Sequence, residues 1–265
     1  MRHTAKAGVC TETHKRSHKA VRGLSLRFER SNMLDWNFTK PLLLDYRKAA
    51  LSNASSLLSE SRLLLDHKHF ARSYFLSVAA IEEVGKSAIL YQALGRNLKA
   101  SDVQSRIRID IQSHSTKITS AFVASLKSLD EQQLRESLSK ILGYAIDLKR
   151  GREPAMYSDV GSDLCVKLPQ SSVRPPAAED CLRLAIACFD STKLMIDAEP
   201  APRTTPEQDK MWTLGKKAHQ VWKEEDFGEF LLDYIQRNGA NGDVISPAVT
   251  TYYDDFLSQG HKFKP

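Results

Sequence analysis

This chain of 265 residues has few cysteines and no long apolar segment. The longest apolar stretch, around Phe75–Ile81, is interrupted by Ser77 and is much shorter than the ~18 residues that suggest a membrane span. Four cysteines do not make a disulfide framework, and a chain of this length can fold without one. With 12 glycines and 10 prolines, the composition also argues against a turn-rich all-β fold. We therefore expect a cytoplasmic protein with reduced cysteines and no membrane segment.

The chain has no net positive charge outside its amino-terminal segment. The formal net charge is +6, and the first 30 residues account for all of it, with eight Lys or Arg and two Glu. The other 235 residues hold 30 basic and 30 acidic side chains, so they lack the broad basic surface that binds duplex DNA. Residues 1–32 are predicted to be a disordered basic tail.

The tail also lacks the features of two other kinds of segment. It has no apolar core of the kind a secretory signal needs. Cys10, His14 and His18 follow a C-x3-H-x3-H spacing, but zinc sites usually need four ligands on a defined turn. The sequence therefore predicts neither a metal nor a cofactor.

Apolar residues recur every three or four positions along most of the chain, which predicts helices. Thr39 is a candidate N-cap, and Gly95 a candidate stop. The predicted helices cover approximately residues 39–65, 69–94, 103–126, 131–149, 178–197, 206–223 and 226–236. Glycine and proline interrupt this pattern over residues 150–176, where Ala155–Val160 and Leu164–Leu168 could form a short hairpin. Residues 238–265 are predicted to be irregular.

These elements predict an all-α helical bundle with a mid-chain hairpin. Its predicted parts are the tail at 1–32, a helical domain at 33–200, and carboxy-terminal helices with an irregular segment at 201–265.

The segment Ala80–Ser87 loosely satisfies the phosphate-loop pattern but lies within a helical repeat. Its backbone N–H groups would therefore serve the helix rather than a phosphate. The same residues belong to an apolar stripe that includes Glu82 and Lys86. Because isolated charges on a buried stripe are costly, these two side chains are predicted to pair. Such a pair is either structural or a support for an active site.

His114 lies on the apolar face of the predicted third helix. Asp110, four residues earlier, is predicted to hold one ring nitrogen, and Lys117 follows on the same side. Arg108 precedes His114 by six residues, roughly 120° away around an ideal helix. The two side chains can converge only at the edge of the stripe or across a subunit interface. Spacing alone leaves two interpretations, a core histidine and a catalytic one.

Three segments resemble the AbiV family of bacterial abortive-infection proteins. The first consists of Asn53-Ala54, Ala71-Arg72-Ser73-Tyr74-Phe75 and Ala79-Ala80-Ile81-Glu82-Glu83-Val84-Gly85-Lys86. The second is His114-Ser-Thr-Lys117. The third consists of Leu148-Lys149 and Met156-Tyr157-Ser158-Asp159-Val160. The resemblance covers about residues 40–195. It extends to the HEPN superfamily of helical bundles, many of which are metal-independent ribonucleases with an R-x(4–6)-H motif. Arg108-x5-His114 fits that motif. Some relatives carry H-x-Y with a tyrosine that an antitoxin modifies, but Thr116 stands at that position here.

The resemblance implies an endoribonuclease of phage defence, HEPN-like in fold, that acts as a homodimer. The implied catalytic residues are Arg108, His114, Lys117 and Asp110. Residues implied to support them from the neighbouring helix are Glu82, Glu83 and Lys86. A basic loop implied to bind RNA contains Lys149, Arg150, Arg152 and Tyr157. The expected partners are RNA, a second copy and a phage-encoded activator protein. The alternative is a non-catalytic helical module that binds a phage protein or the translation machinery.

Overall fold

The structure is a computed structural model that describes residues 37–122, 131–160, 164–198, 200–239 and 243–264, without the side chains of 131–142 and 145. The basic tail and its Cys10–His14–His18 spacing lie outside these residues. Asn37–Pro265 forms one unit. The division at residue 200 stays a prediction. Within the described residues, no helix is long and apolar enough to cross a membrane.

Two long helices joined by a three-residue loop form the centre of the bundle. Helix α1 spans Lys40–Asp66 and α2 spans Phe70–Ala93. Thr39 caps α1, as predicted, because its hydroxyl accepts a hydrogen bond from the amide of Leu42. Ser61 of α1 donates to the carbonyl of Ser73 across the buried interface. This polar contact fixes the register of two otherwise apolar helix faces.

Helix α2 is buried on most of its circumference, so it contributes to the core in several directions. Val78, Ile81 and Val84 pack there with Ile118 and Ala185 from later helices. The helix is continuous through Ala80–Ser87, which confirms that this segment is not a phosphate loop. Almost every side chain of α2 therefore acts inside the protein.

The predicted third helix is two helices. Helix α3 ends at Gln112 (Ser101–Gln112), and α4 begins at His114 (His114–Ala121). Ser113 between them has extended backbone, and its hydroxyl accepts from the amide of Thr116 at 3.2 Å. The serine thus competes with the helix ladder and starts a new helix. The prediction of one continuous helix was wrong because the apolar repeat runs through this break.

Helix α5 is longer than predicted, and the hairpin after it is shorter. Helix α5 spans Glu131–Met156 and contains Pro154 in its last turn. Strands β1 (Asp159–Val160) and β2 (Val166–Lys167) then pair antiparallel, which confirms a hairpin here. A short helix α6 (Pro169–Ser172) and the long helix α7 (Pro175–Ala198) follow.

The carboxy-terminal helices pack around an aromatic cluster. They are α8 (Pro206–Leu214), α9 (Lys216–Val221), α10 (Phe227–Asn238) and α11 (Ile245–Asp255), with a 3₁₀ turn at Leu257–Gln259. Phe230 contacts the rings of Tyr252, Phe256 and Phe263. Helix α11 corrects the prediction of an irregular end. Its Thr–Thr–Tyr–Tyr sequence has modest helix propensity, so aromatic packing is what stabilises it.

One buried carboxylate connects this region to α2 and α3. Asp209 accepts from a guanidinium nitrogen of Arg96 at 3.0 Å, from the amide of Asn97 at 2.9 Å and from the Thr204 hydroxyl at 2.7 Å. The Arg96 guanidinium also stacks on the Trp212 ring at 3.9 Å. Because Arg96 follows α2 and precedes α3, these contacts fix the connection between the two helices.

Candidate active site

A buried carboxylate in the middle of α2 collects three potentially cationic side chains. Glu82 Oε2 is 2.7 Å from Nδ1 of His114 and 2.9 Å from Nζ of Lys117, both on α4. Glu82 Oε1 is 3.1 Å from Nε of Arg152 on α5. We call Glu82, His114, Lys117 and Arg152 the Glu82 cluster. Three helices therefore supply one site, and its carboxylate is almost completely withdrawn from water.

His114 is the most exposed member of the cluster. Half of its side chain is exposed, whereas the side chains of Glu82 and Lys117 are buried. An ionised carboxylate can only accept, so Nδ1 donates to Glu82 and the neutral ring presents Nε2 as an acceptor. This pairing orients the ring in one tautomer. The geometry suits a general base or acid.

The backbone beside His114 favours an anion. His114 is the first residue of α4, where the amide groups of the first turn have no carbonyl partner within the helix. Ser113 satisfies one of them, at Thr116. The remaining amides and the helix dipole attract negative charge to this end of α4.

Arg152 is held in place by several groups besides Glu82. One of its terminal nitrogens contacts Glu153, and its guanidinium lies 5.4 Å from the centre of the Phe75 ring. The 3.1 Å contact with Glu82 is an ion pair and lacks the alignment of a hydrogen bond. The sequence assigned Arg152 to RNA binding, but nothing in the sequence pattern paired it with Glu82, 70 positions earlier.

Close packing of α4 on α2 brings the cluster together. A Cβ atom added to Gly85 would lie 1.7 Å from the carbonyl oxygen of Lys117. Only glycine permits this approach, and Gly85 is less than one helical turn from Glu82. The glycine that suggested a phosphate loop in the sequence is thus a packing residue.

The predicted Glu82–Lys86 pair does not form. Lys86 is 2.5 Å from Glu83 and lies over the ring of Tyr46 at 5.6 Å. Glu82 is satisfied instead by residues from α4 and α5. The sequence predicted correctly that the buried charge of Glu82 would have a partner, but it named the wrong one. Spacing along α2 cannot show that α4 packs close enough to supply the partner instead.

Asp110 does not hold the imidazole either. Its carboxylate pairs with Arg106 on α3, with oxygen–nitrogen distances of 2.9 and 3.1 Å. Burial raises the pKa of Asp110, and the neighbouring Arg106 opposes that rise. The break at Ser113 ends the helical spacing that would have placed Asp110 beside His114, so Glu82 takes its place.

Arg108 and His114 do not contact each other within one chain. Among the described residues, the imidazole pairs with Glu82, and the guanidinium of Arg108 lies 5.8 Å from the centre of the Phe38 ring. The helical angle calculated between them does not apply, because α3 ends before His114. The remaining predicted RNA-binding residues, Lys149, Arg150 and Tyr157, are exposed on the last turns of α5 and just beyond it.

The donor set does not suggest a metal site. Within the described ranges, no group of three or more His, Cys, Asp or Glu side chains is arranged to hold a metal ion. Around Glu82 the other groups are an ammonium, a guanidinium and an imidazole. Such a set suits a bound anion better than a cation.

The chain is thus an all-α bundle in which a central buried carboxylate orients an exposed histidine. The family model for AbiV, HEPN_AbiV, matches residues 42–189, more than half of the chain. The chain therefore belongs to the AbiV family of abortive-infection proteins, within the HEPN superfamily. The match includes Glu82, His114, Lys117 and Arg152 and ends before the carboxy-terminal helices. Comparison with curated proteins and with solved structures gave no match.

Proposed function

We propose that this protein is an endoribonuclease of phage defence and that His114 is its acid–base residue. The observation that carries the proposal is the half-exposed imidazole whose Nδ1 is bound, at 2.7 Å, to the buried carboxylate of Glu82. This arrangement leaves Nε2 available to a substrate. The family membership supports the same function, because ribonucleases are common in the superfamily.

RNA supplies its own nucleophile, so the reaction needs no metal. The 2′-hydroxyl loses its proton to Nε2 of His114 and attacks the adjacent phosphorus. The bond from phosphorus to the 5′ oxygen then breaks, that oxygen takes a proton from water, and the imidazolium of His114 returns its proton to the solvent. The expected products are a 2′,3′-cyclic phosphate and a 5′-hydroxyl.

The remaining members of the cluster position His114 and stabilise charge. Glu82 fixes the tautomer and balances the imidazolium that forms. Lys117 and Arg152, anchored on the same carboxylate, keep the surroundings electropositive for the phosphate. Arg108 remains the candidate for stabilising the negative charge on the oxygens of the pentacovalent transition state. It would do so from the second copy, across the interface of the homodimer that the family resemblance implies.

The test is cleavage of single-stranded RNA by the full chain in EDTA. His114→Ala should reduce the rate at least ~100-fold, the usual contribution of a general base. His219, exposed on α9, provides the matched control, and His219→Ala should cleave like the wild type. Circular dichroism and thermal melting establish that each variant folds.

Two results would refute the proposal. One is an inactive wild type on RNA from infected and uninfected cells, which favours the interaction-module alternative. The other is cleavage by His114→Ala at the wild-type rate. A 3′-phosphate product that never passes through a cyclic intermediate would contradict the assigned nucleophile.

A further inference from the structure

Two adjoining grooves at the amino-terminal end of α1 are lined by basic side chains. Their volumes are about 710 Å³ and 480 Å³, and Lys40 lines both of them. We call the two together the α1 groove. The basic residues that line it are Lys40, Arg47, Arg96, Lys99 and Arg203. They come from three separate segments of the chain, so no run of the sequence contains this concentration of charge.

Few carboxylates offset the charge of the α1 groove. Among the described residues, Arg96 is the only one of the five that is ion-paired, and its partner is Asp209. The described lining adds one carboxylate, that of Asp197. Counting both, together with Glu199 from the same stretch of sequence, five basic and three acidic groups leave a net charge of +2. Residues 31–265 are neutral as a whole, and they concentrate positive charge here.

Two of the lysines occupy positions that a helix ordinarily gives to acidic or neutral side chains. Lys40 is the first residue of α1, which has no acidic residue in its first turn. Lys99 precedes Ala100, the N-cap of α3, which makes no side-chain cap, and the first turn of α3 has one acidic residue, Asp102. The positive end of a helix dipole disfavours a nearby cation and attracts an anion. A bound anion would remove this conflict, so the two lysines indicate a ligand rather than a folding role.

Buried contacts hold the walls of the groove in place. The side chain of Gln104 accepts from the amide of Phe38 at 2.7 Å and donates to its carbonyl at 3.0 Å, which fixes the start of α1 against α3. A Cβ atom added to Gly95 would lie 1.8 Å from the carbonyl oxygen of Pro202, so glycine is needed for the segment before Arg203 to approach the end of α2. The basic side chains are therefore attached to a backbone that is ordered before a ligand binds, which lowers the cost of binding.

We propose that the α1 groove binds phosphate groups of a single RNA strand, away from the bond that is cleaved. Guanidinium groups and helix N-termini are groups that proteins commonly use to hold phosphate. Several cations along one groove suit a chain of phosphates better than a lone ion. Among the described residues that line the groove, the aromatic one is Phe38, whose side chain is buried and cannot stack on a base. The contact is therefore with the backbone and should be insensitive to base sequence.

The groove is separate from the Glu82 cluster. Glu82 lies eleven residues before Ala93, the last residue of α2, which corresponds to about 16 Å along the helix axis, and the groove lies beyond that end. The groove would therefore hold a strand without touching the reacting atoms. The identity of the strand as RNA rests on the proposed function, but binding is measured without cleavage.

The test is binding of a single RNA strand of about 12 nucleotides with 2′-O-methyl groups, which has phosphates but no 2′-hydroxyl to attack phosphorus. In the full chain, Lys40→Ala/Lys99→Ala should weaken binding at least ~10-fold and reduce the slope of log K against log salt by about 1.4, or about 0.7 for each lost phosphate contact. Lys193→Ala/Lys223→Ala removes two exposed lysines outside the groove and should bind like the wild type. Because neither groove lysine favours its helix end, the first variant should melt at the wild-type temperature or above.

Equal binding by the groove variant and the control variant would overturn the proposal, and so would an unchanged salt slope. Loss of ATP binding in the groove variant, with strand binding intact, would overturn the assignment to a strand and give the groove to the phosphates of a free nucleotide.

Cleavage of unmodified RNA is measured on the same proteins. The groove variant should raise KM and leave kcat unchanged, because the groove contributes to binding alone. A wild type that binds the strand through the groove and does not cleave refutes the proposed function alone. A wild type that cleaves, with a groove variant that binds and cleaves equally well, refutes the groove alone.

Discussion

Replacing Gly85 by alanine tests whether the approach of α4 to α2 creates the Glu82 cluster. The new methyl group would lie 1.7 Å from the carbonyl oxygen of Lys117, whereas real contacts of this kind are longer than 3.0 Å. Helix α4 must therefore retreat by more than 1 Å. The 2.7 Å contact between Glu82 and His114 would then exceed the ~3.2 Å limit of a good hydrogen bond.

The cost in stability follows from two opposing effects. Overpacking a tight helix interface costs typically ~1–3 kcal/mol, and alanine gains up to ~1 kcal/mol over glycine in a helix. We expect Gly85→Ala to lower the free energy of unfolding by about 1–2 kcal/mol. Its RNA cleavage should fall at least tenfold, because the imidazole loses the carboxylate that orients it.

Gly143 on α5 provides the matched control, because, among the described residues and apart from the helix's own backbone, no atom lies within 4 Å of an added Cβ there. Gly143→Ala should gain up to ~1 kcal/mol of stability and keep its activity. Urea denaturation gives the free energies, and the ¹⁵N spectrum of labelled histidine reports the His114 tautomer. A Gly85→Ala protein with wild-type stability and an unchanged His114 signal would show that the close approach does not set the site.

Two further predictions concern regions away from the site. Asp209→Ala should lower the free energy of unfolding by about 2–4 kcal/mol, because it leaves Arg96 buried without its carboxylate. The surface pair of the partly exposed Asp233 and the exposed Arg237 is the control, and Asp233→Ala should change stability by less than ~0.5 kcal/mol in urea denaturation. Equal effects of the two substitutions would contradict the role given to Asp209. Burial raises the pKa of Cys188 to about 12 and also raises that of Cys181, from ordinary values of 9.0. The unfolded chain therefore releases these protons first, and stability should fall as the pH rises from about 9 towards 12. Denaturation at about pH 8 and pH 10.5 should show a smaller fall for the Cys181→Ala/Cys188→Ala protein than for the wild type or Cys165→Ser, and identical pH dependences would refute it.

The sequence alone determined the features that depend on near neighbours in the chain. The cap at Thr39 and the helical repeats of α1, α2 and α7 are local patterns, so they were predictable within a few residues. The start of α5 was also predicted, but the helix ends seven residues later than predicted. The hairpin was predicted from the glycines and prolines of residues 150–176, although α5 continues through Gly151 and Pro154 to Met156. His114 and Lys117 were chosen from a local spacing and are both in the cluster.

Only the tertiary structure decided which of these side chains meet. The carboxylate on His114 comes from Glu82, 32 positions away, and Arg152 is 70 positions from that carboxylate. The apolar repeat of a helix shows which of its faces is buried, but it does not show which other helix packs against that face. The break at Ser113 was not predicted, because a single hydrogen bond from the Thr116 amide to the Ser113 hydroxyl makes it and the apolar repeat continues on both sides. Helix α11 was missed because its stability comes from aromatic rings contributed by other segments. Pairing across helices depends on how closely their backbones approach, and here that distance is set by the missing side chain of Gly85.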